Sequence, residues 1–278
     1  MLISLPLIIA LFLSGLVPPQ SEVTYEVYAI RFGTLPQFRV SGLVTGADAE
    51  RRLDIPVMVW LLKSSDGKRI LVDSGFHQKK FVDQWKVLNF RSPADAVAAA
   101  GVKPDEITDI IISHAHWDHA GGADLFPKAT VWIQRDEYTY YTGEAWHGRN
   151  THGGIDPQDM AALLRINTEG RLRFVNGDDQ EVLPGIRCYT GGRHTHASQY
   201  VGVRTAGGTA VITSDNMYLY ENMEKRAPIA QTLDAKSNLA AQDRIRGLAS
   251  DVSLIVPGHD PAVFDRYTRV AEGIVRIK

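Results

Sequence analysis

Apolar residues along the chain form short continuous runs that are separated by glycine-rich or polar turns. The segments VTYEVYAIRFG (23–33), PVMVWLLKS (56–64) and RILVDSG (69–75) are rich in β-branched and aromatic residues, and SSDGK separates the last two. Runs of this kind, bounded by turn residues, are typical of strands. ITDIIIS (107–113) predicts a further short strand that is buried on both faces. The N-terminal half of the chain is therefore predicted to be rich in strands.

Helical patterns alternate with strand patterns later in the chain. SPADAVAAAG offers Ser92 as an N-cap, Pro93 at the first helical position and Gly101 as a stop signal. Further helices are predicted at 156–166, at 235–249 and in the C-terminal residues 261–278. Further strands are predicted at 172–176, 186–190, 200–205, 209–215 and within 251–260. This order indicates an α/β protein in which helices cover layered sheets.

Composition limits the classes of function that fit this chain. The 278 residues are 44% hydrophobic and 22% charged, and no linker or repeat interrupts residues 23–278, which predicts one domain there. The formal net charge of -2 offers no basic surface for nucleic acid, so we expect no nucleic-acid partner. Cys188 is the only cysteine, which excludes a disulfide framework and thiolate clusters. A metal ion would therefore be bound by nitrogen and oxygen.

The N-terminal residues 1–22 form a separate apolar segment. Its apolar run is short for a membrane span and has the length of a signal-peptide core, although no Lys or Arg precedes it. We expect a signal peptide or an N-terminal anchor, and hence a periplasmic or secreted protein. Membrane association would arise only through this segment if it is uncleaved, and a misassigned start codon would make the protein cytoplasmic.

The sequence SHAHWDHAGG (113–122) concentrates metal-binding side chains at the end of a predicted strand. His114 and His116, two residues apart in extended chain, point to the same side and can share one ion. Asp118 and His119 follow a bend and would face a neighbouring position. Loops at the carboxyl ends of strands are where α/β folds place their ligands.

Three more candidate metal ligands follow predicted strands further along the chain. His194 comes after a glycine pair in TGGRHTHASQ, Asp215 ends the run VITSD, and His259 follows LIVPG. A fold can bring such strand-end residues to a shared rim. Seven candidate ligands for two ions leave coordination positions for water, which favours catalysis over a closed structural zinc site.

These motifs resemble those of the metallo-β-lactamase superfamily from about residue 24 onward. The resemblance implies an αβ/βα four-layer sandwich of two mixed β-sheets flanked by helices, and two Zn²⁺ ions per chain, with Fe, Co or Mn as alternatives. It implies that His114, His116 and His194 hold the first ion, that Asp118, His119 and His259 hold the second, and that Asp215 bridges both. Asp73, in LVDSG, would orient ligands. His194 and His196 compete for one role, and the family pattern favours His194.

The residues after Asp215 resemble the N-acyl-homoserine lactonase branch of this superfamily. In SDNMY, Tyr218 stands three residues after the bridging aspartate, and the resemblance implies that it faces the substrate carbonyl. A metal-bridging hydroxide would open the lactone ring, the first zinc and Tyr218 would stabilise the oxyanion, and Asp118 would return a proton to the leaving oxygen. This hydrolase would act on a small lactone or ester and quench quorum sensing; a homodimer is compatible with the sequence.

Other activities remain open at this point. A phosphotriesterase or a β-lactamase would use the same scaffold, and an iron-dependent persulfide dioxygenase would bind one metal ion. A zinc-stabilised binding module would not be an enzyme at all. An apolar pocket would set acyl-chain preference. Candidates for its lining, chosen because they lie close to the site in sequence, are Trp117, Phe76, Trp146, Tyr220 and Met217.

Overall fold

Two β-sheets form the centre of the computed structural model, which describes residues 22–149 and 152–278. The expected signal peptide or anchor (1–22) lies outside the described residues except for Glu22. Within the described part, no helix combines the length and apolar character that crossing a bilayer requires.

The strands are, in chain order, β1 (Tyr25–Arg39), β2 (Arg52–Ser64), β3 (Arg69–Val72), β4 (Asp109–Ile111), β5 (Thr130–Gln134), β6 (Leu172–Val175), β7 (Gln180–Leu183), β8 (Ile186–Thr190), β9 (Gln199–Thr205), β10 (Gly208–Ser214), β11 (Ile255–Pro257), β12 (Thr268–Ala271) and β13 (Ile274–Arg276). One sheet has eight strands in the order β12-β13-β1-β2-β3-β4-β5-β6, and the other has five in the order β11-β10-β9-β8-β7. Both sheets are mixed: β3 to β6 pair in parallel, as do β10 and β11, whereas the other pairs are antiparallel.

The α-helices lie between these strands in the chain. They are α1 (Lys79–Trp85), α2 (Pro93–Ala99), α3 (Trp117–Ala120), α4 (Arg135–Thr142), α5 (Pro157–Thr168), α6 (Tyr220–Glu224), α7 (Ala235–Leu248) and α8 (Val263–Arg266). The predicted start of α2 is confirmed, since the Ser92 side chain accepts a hydrogen bond from the backbone of Asp95 and Pro93 is the first helical residue.

Alternate residues of the central strands separate into distinct cores, which shows four layers. In β2, Val59 and Leu61 belong to the core under the helices that cover the larger sheet. Trp60 and Leu62, which alternate with them along the strand, belong to the core between the two sheets. A third core packs the outer face of the smaller sheet against α7. The predicted αβ/βα four-layer sandwich is confirmed, and its two-sided burial explains why these strands are continuously apolar.

The predicted C-terminal helix over 261–278 is wrong. Only the short α8 forms there, and the remaining residues make the hairpin of β12 and β13. Gly273, with a φ of +70°, makes the turn, and β13 pairs with β1. The β-branched residues on both sides of Gly273 are typical of a hairpin, and pairing with a strand almost 250 residues earlier satisfies their backbone.

A cluster of aromatic rings packs α1 and α3 against the larger sheet. Phe76 is fully buried, and its ring centroid lies 4.6 Å from that of Trp117 in α3 and 5.4 Å from that of Phe32 in β1. The Phe81 ring stacks on Trp117 at 4.3 Å. This cluster fixes the position of α3, the helix that carries two of the expected ligands.

We expect Phe76→Ala to lower the free energy of unfolding by about 3–5 kcal/mol, because it leaves a cavity inside this cluster. Leu164→Ala is the matched control: Leu164 is 50% exposed, so its truncation should change stability by less than about 0.5 kcal/mol. Urea unfolding of both variants measures the difference. Equal midpoints for the two variants would contradict the role given to the aromatic cluster.

Candidate metal centre

Side chains with metal-ligating atoms gather at one end of the sandwich, where several strands terminate. His114 and His116 follow β4, His194 lies in the loop between β8 and β9, Asp215 follows β10, and His259 follows β11. Asp118 and His119 lie in α3, which begins directly after His116. The structure thus brings all seven residues expected as ligands to the carboxyl ends of strands from both sheets.

Four of these side chains form the first ligand set: His114, His116, His194 and Asp215. His116 Nδ1 lies 3.1 Å from His114 Nε2 and 2.9 Å from His194 Nε2. Asp215 Oδ2 lies 3.2 Å from His194 Nε2 and 3.6 Å from His114 Nε2. Around a tetrahedral ion bound at about 2.1 Å, neighbouring ligand atoms stand about 3.4 Å apart. The four atoms therefore have the spacing of ligands to one ion.

The second ligand set contains Asp118, His119 and His259. Asp118 Oδ2 lies 3.6 Å from His119 Nε2 and 3.8 Å from His259 Nε2. The other carboxylate oxygen of Asp215, Oδ1, lies 3.3 Å from His119 Nε2 and 3.1 Å from His259 Nε2. Asp215 thus faces the first set with one oxygen and the second set with the other, which is the arrangement of a bridging carboxylate.

Unsatisfied polar atoms at the centre test whether these residues fit metal ions. His119 Nε2 and Asp215 Oδ1 are buried and have no hydrogen-bond partner among the described residues. Leaving such atoms without a partner costs free energy, and a cation that both can bind removes that cost. When the imidazoles bind in their neutral form, the two aspartates also give the site a negative charge that attracts divalent cations. The donor set therefore fits two ions, one beside each oxygen of Asp215.

The second nitrogen of four histidines is held by a hydrogen-bond acceptor or a hydroxyl group. His194 Nδ1 lies 2.7 Å from the carbonyl oxygen of Gln231, and His259 Nδ1 lies 2.9 Å from that of Pro56. His114 Nδ1 lies 2.9 Å from Ser113 Oγ, and His119 Nδ1 lies 2.8 Å from Asp73 Oδ2. Such contacts place the proton on Nδ1 and leave the Nε2 lone pair free for a metal.

Asp73 orients a ligand and also joins the two sheets. Its carboxylate accepts hydrogen bonds from the backbone N–H and hydroxyl group of Ser113 and from the hydroxyl group of Ser214, in addition to its contact with His119. Asp73 has a φ of +59°, an unfavourable value for a residue with a side chain. The hydrogen bonds to both strand ends compensate for this local strain.

Two glycines allow the ligand-bearing segments to approach closely. A Cβ atom on Gly122 would stand 2.2 Å from the carbonyl oxygen of Ser74, and one on Gly258 would stand 2.8 Å from Asp215 Oδ1. Side chains at these positions would displace α3 or the end of β11. Glycine is therefore required where the segments meet.

Burial and charge set the protonation of the site. Burial, reinforced by neighbouring imidazoles, holds the pKa of His114 and His116 well below the usual histidine value, which keeps both rings neutral and able to bind metal. Burial alone would raise the pKa of Asp215, but the positive charge of protonated His119 and His259, whose own pKa values Asp215 raises against the effect of burial, outweighs it and holds the Asp215 pKa well below the usual value. A bound cation would take the place of these protons. The bridging carboxylate is therefore ionised.

Tyr218 and an apolar cavity complete the site. The cavity has a volume of about 150 Å³ and opens onto Asp118, Asp215 and His259. Its apolar walls comprise Leu35, Phe38, Leu43, Ile55, Trp85, Trp117 and the ring of Tyr218. The Tyr218 hydroxyl group has a single weak contact among the described residues, at 3.4 Å from His194 Nδ1. Burial, together with Asp215 and Asp118, raises its pKa well above the usual value, so the group stays protonated as a donor.

The structure separates His194 from its competitor His196. His194 contributes to the first ligand set, whereas the His196 ring stacks on Tyr140 with centroids 4.0 Å apart. Of the pocket candidates chosen by sequence proximity, Trp117 lines the cavity and Phe76 supports it from behind. Tyr220 and Met217 are buried in the cores and Trp146 lies elsewhere, so these three do not line the cavity.

Sequence reasoning missed several groups that shape the site. The cavity walls from β1 and β2, such as Phe38 and Ile55, are distant in sequence from every ligand. Glu137, a fully buried acid in α4, contacts two ligand-bearing loops. The run TVWI before α4 is rich in β-branched residues and would have indicated β5, and with it an acidic residue just beyond a strand end.

Comparisons with known proteins agree with this geometry. A family model described as "Metallo-beta-lactamase superfamily" matches residues 53–259. An N-acyl homoserine lactonase of Bacillus cereus is 29% identical over 224 residues, which cover 75% of this chain and 82% of the relative. The N-acyl homoserine lactonase AttM of Rhizobium johnstonii is 27% identical over 265 residues, which cover 89% of this chain and 97% of the relative.

The fold also matches solved structures. A mutant of AiiA from B. thuringiensis, with N-decanoyl-L-homoserine bound at its active site, superposes with a TM-score of 0.70 at 24% identity. The match covers 90% of this chain and 98% of that one. The sandwich and its paired ligand sets are those of a metal-dependent hydrolase. The chain belongs to the metallo-beta-lactamase superfamily, and the sequence relatives named above are N-acyl homoserine lactonases.

We expect the purified protein to bind about two divalent ions per chain and His194→Ala to bind about one, because this substitution removes a nitrogen from the first ligand set. His196→Ala is the matched control and should keep both ions. Elemental analysis after exhaustive dialysis measures the ratio. Loss of an ion in His196→Ala, with both ions retained in His194→Ala, would reverse the assignment.

Proposed function

We propose that this protein is a dinuclear zinc hydrolase that opens the lactone ring of N-acyl-homoserine lactones. The observation that carries the proposal is the position of Tyr218 at the wall of an apolar cavity, where its ring centroid lies 5.6 Å from that of His194 in the first ligand set and 5.8 Å from that of His259 in the second. An acylated lactone requires a polar group that can contact its carbonyl oxygen and an apolar wall that can bind its acyl chain. The names of the sequence relatives point to the same substrate class.

The ligand chemistry supports zinc. Five imidazole and two carboxylate side chains make up the two sets, and imidazole with carboxylate is a ligand combination that zinc accepts. Two such ions, when bound, would lower the pKa of a bound water molecule and polarise the carbonyl bond under attack. The following steps concern the protein groups that serve this chemistry.

Tyr218 is suited to stabilise the oxyanion that forms when the lactone carbonyl is attacked. Its hydroxyl group is uncharged, buried and free of strong hydrogen bonds within the described residues. A donor of this kind loses little when it turns to a developing negative charge, and its surroundings exclude water that would screen the interaction. Tyr218 therefore contributes more in the transition state than in the ground state.

Asp118 is placed to carry the proton from the nucleophile to the leaving oxygen. Its Oδ2 atom lies within 3.8 Å of the imidazoles of His119 and His259, and its side chain is 12% exposed at the cavity. Opening the ring breaks the bond between the carbonyl carbon and the ring oxygen, and this oxygen must gain a proton to leave as a hydroxyl group. A carboxylate at this place accepts one proton and returns it in the same turnover.

The cavity supports binding of an acyl chain. Trp85 and Trp117 stack with an interplanar angle of 7° and a centroid distance of 6.1 Å, and Phe38 also stacks on Trp85 with centroids 6.1 Å apart. Each methylene group that enters such a cavity from water gains about 0.8 kcal/mol. The walls thus give a reason for this protein to prefer lactones that carry a long acyl chain.

Turnover of an N-acyl-homoserine lactone, nitrocefin and paraoxon by the metal-loaded protein tests the function. We expect the lactone to be hydrolysed fastest. Tyr218→Phe should lower kcat for the lactone by about a hundredfold while both ions stay bound, because it removes one oxyanion donor. Asp215→Ala should abolish turnover.

Three results would contradict this proposal or part of it. Hydrolysis of nitrocefin alone would identify a β-lactamase, and hydrolysis of paraoxon alone would identify a phosphotriesterase. Full lactone turnover by Tyr218→Phe would remove the tyrosine from the mechanism and leave the metal ions with that role.

Chain-length preference tests the cavity. Trp85→Ala should reduce the ratio of kcat/KM for the N-decanoyl lactone to that for the N-butanoyl lactone by about tenfold, since fewer methylene groups are shielded from water. Trp146→Ala is the comparison variant, because Trp146 is 37% exposed and does not line the cavity. Steady-state kinetics on both lactones gives the ratios. A larger change in Trp146→Ala would place the acyl chain on the other side of the site.

A further inference from the structure

Glu137 in α4 is a completely buried acid that has no part in the chemistry proposed above. Its side chain accepts three hydrogen bonds: Oε1 from the backbone N–H of Ala115 at 2.9 Å and from the Thr195 hydroxyl group at 2.6 Å, and Oε2 from the backbone N–H of Ala197 at 2.6 Å. Burial raises the pKa of this carboxyl group, and the three donors oppose that rise. A buried acid is costly unless its partners fix it, so this one marks a place where precise geometry matters.

The three donors belong to the two segments that carry the three histidines of the first ligand set. Ala115 separates His114 from His116, and Thr195 directly follows His194. The first segment leaves β4 of the eight-stranded sheet, and the second connects β8 and β9 of the five-stranded sheet. Glu137 therefore joins one ligand-bearing segment of each sheet through a single carboxylate.

This connection acts where the distance between ligands is critical. His116 Nδ1 and His194 Nε2 are 2.9 Å apart although they come from different sheets. A relative shift of the two segments by about 1 Å would move one nitrogen out of the bonding range of an ion that the other holds. We propose that Glu137 is a positioning residue that fixes the distance between the His114–His116 pair and His194, and thereby sets the affinity of the first ligand set for its ion.

The second ligand set provides an internal comparison. The ring of His119 is oriented by Asp73, and that of His259 by the carbonyl oxygen of Pro56. None of the three hydrogen bonds to Glu137 comes from the second set or from these two supports. The proposal, which rests on the proposed two-ion function, therefore predicts that a change at Glu137 weakens one ion selectively.

Metal titration of the Glu137→Gln variant tests this directly. The substitution keeps the size of the side chain but turns one accepting oxygen into an NH₂ group that faces donors. We expect the affinity for one of two Zn²⁺ ions to fall by about 10- to 100-fold and the other to stay within about threefold. Competition of the metal-free full chain with a chromophoric chelator measures both affinities without reference to activity.

Gln134→Ala is the matched control. Gln134 ends β5, three residues before Glu137, is 3% exposed, and makes three hydrogen bonds to Gly177 and Gln199. It contacts neither ligand-bearing segment through these bonds. We expect this variant to be less stable in urea but to bind both ions with affinities within about twofold of the original protein.

A second pair of variants keeps the proposal decidable if Glu137→Gln does not fold. Thr195→Val removes one of the three donors and should weaken one ion by several-fold, whereas Thr195→Ser keeps the hydroxyl group and should restore the affinity. Unchanged affinities in Glu137→Gln, equal weakening of both ions, or the same weakening in Gln134→Ala would overturn the proposal. So would unchanged affinity in a folded Thr195→Val.

The two proposals fail in different ways. A protein that binds two ions but does not hydrolyse lactones would refute the proposed substrate and leave the role of Glu137 intact. A protein that binds no divalent ion would refute both.

Discussion

The Asp215 carboxylate imposes the central constraint on this structure, because its two oxygens face two different groups of imidazole nitrogens. Oδ2 lies 3.2 Å from His194 Nε2, and Oδ1 lies 3.1 Å from His259 Nε2. Lone pairs that converge in a buried site are unfavourable without cations to bind them, and with cations they become its main source of stability. The bridge thus explains both why the residues gather and what they can hold. In the sandwich, strands of both sheets end at the same rim, which places these ligands close together.

Three carboxylates have three different tasks at this rim. Asp215 faces both ligand sets, Asp73 orients His119 and ties Ser113 to Ser214, and Glu137 ties the segments around Ala115 and Thr195. Most of the contact between the sheets is made by apolar side chains, which pack well but specify the relative orientation of the segments only loosely. Hydrogen bonds to buried carboxylates fix the relative orientation of the ligand-bearing segments. The buried acids that hold the ligand-bearing segments in place are therefore as much a part of the site as its ligands.

Much of this architecture can be predicted from the sequence because the signals are local. Strand runs such as IRCYT, the N-cap at Ser92 and the cluster of ligand types in SHAHWDH depend on neighbours within a few residues. The features that local patterns do not predict depend on residues that are distant in sequence. The predicted C-terminal helix neglects the β-branched residues around Gly273, and the hairpin of β12 and β13 that forms there is stabilised by pairing with β1. The role of Glu137 depends on residues 22 to 60 positions away. Met217 and Tyr220, close to Asp215 in sequence, proved to face the cores.

The most direct test of the bridging carboxylate is the anomalous diffraction of crystals of the zinc-loaded protein, measured on both sides of the zinc absorption edge. If Asp215 bridges two ions, the map will show two peaks about 3.5–4 Å apart, each within bonding distance of a different oxygen of Asp215. One peak bound by His114, His116 and His194, with Asp118 and His259 turned away, would contradict it. So would two peaks that share no oxygen of Asp215.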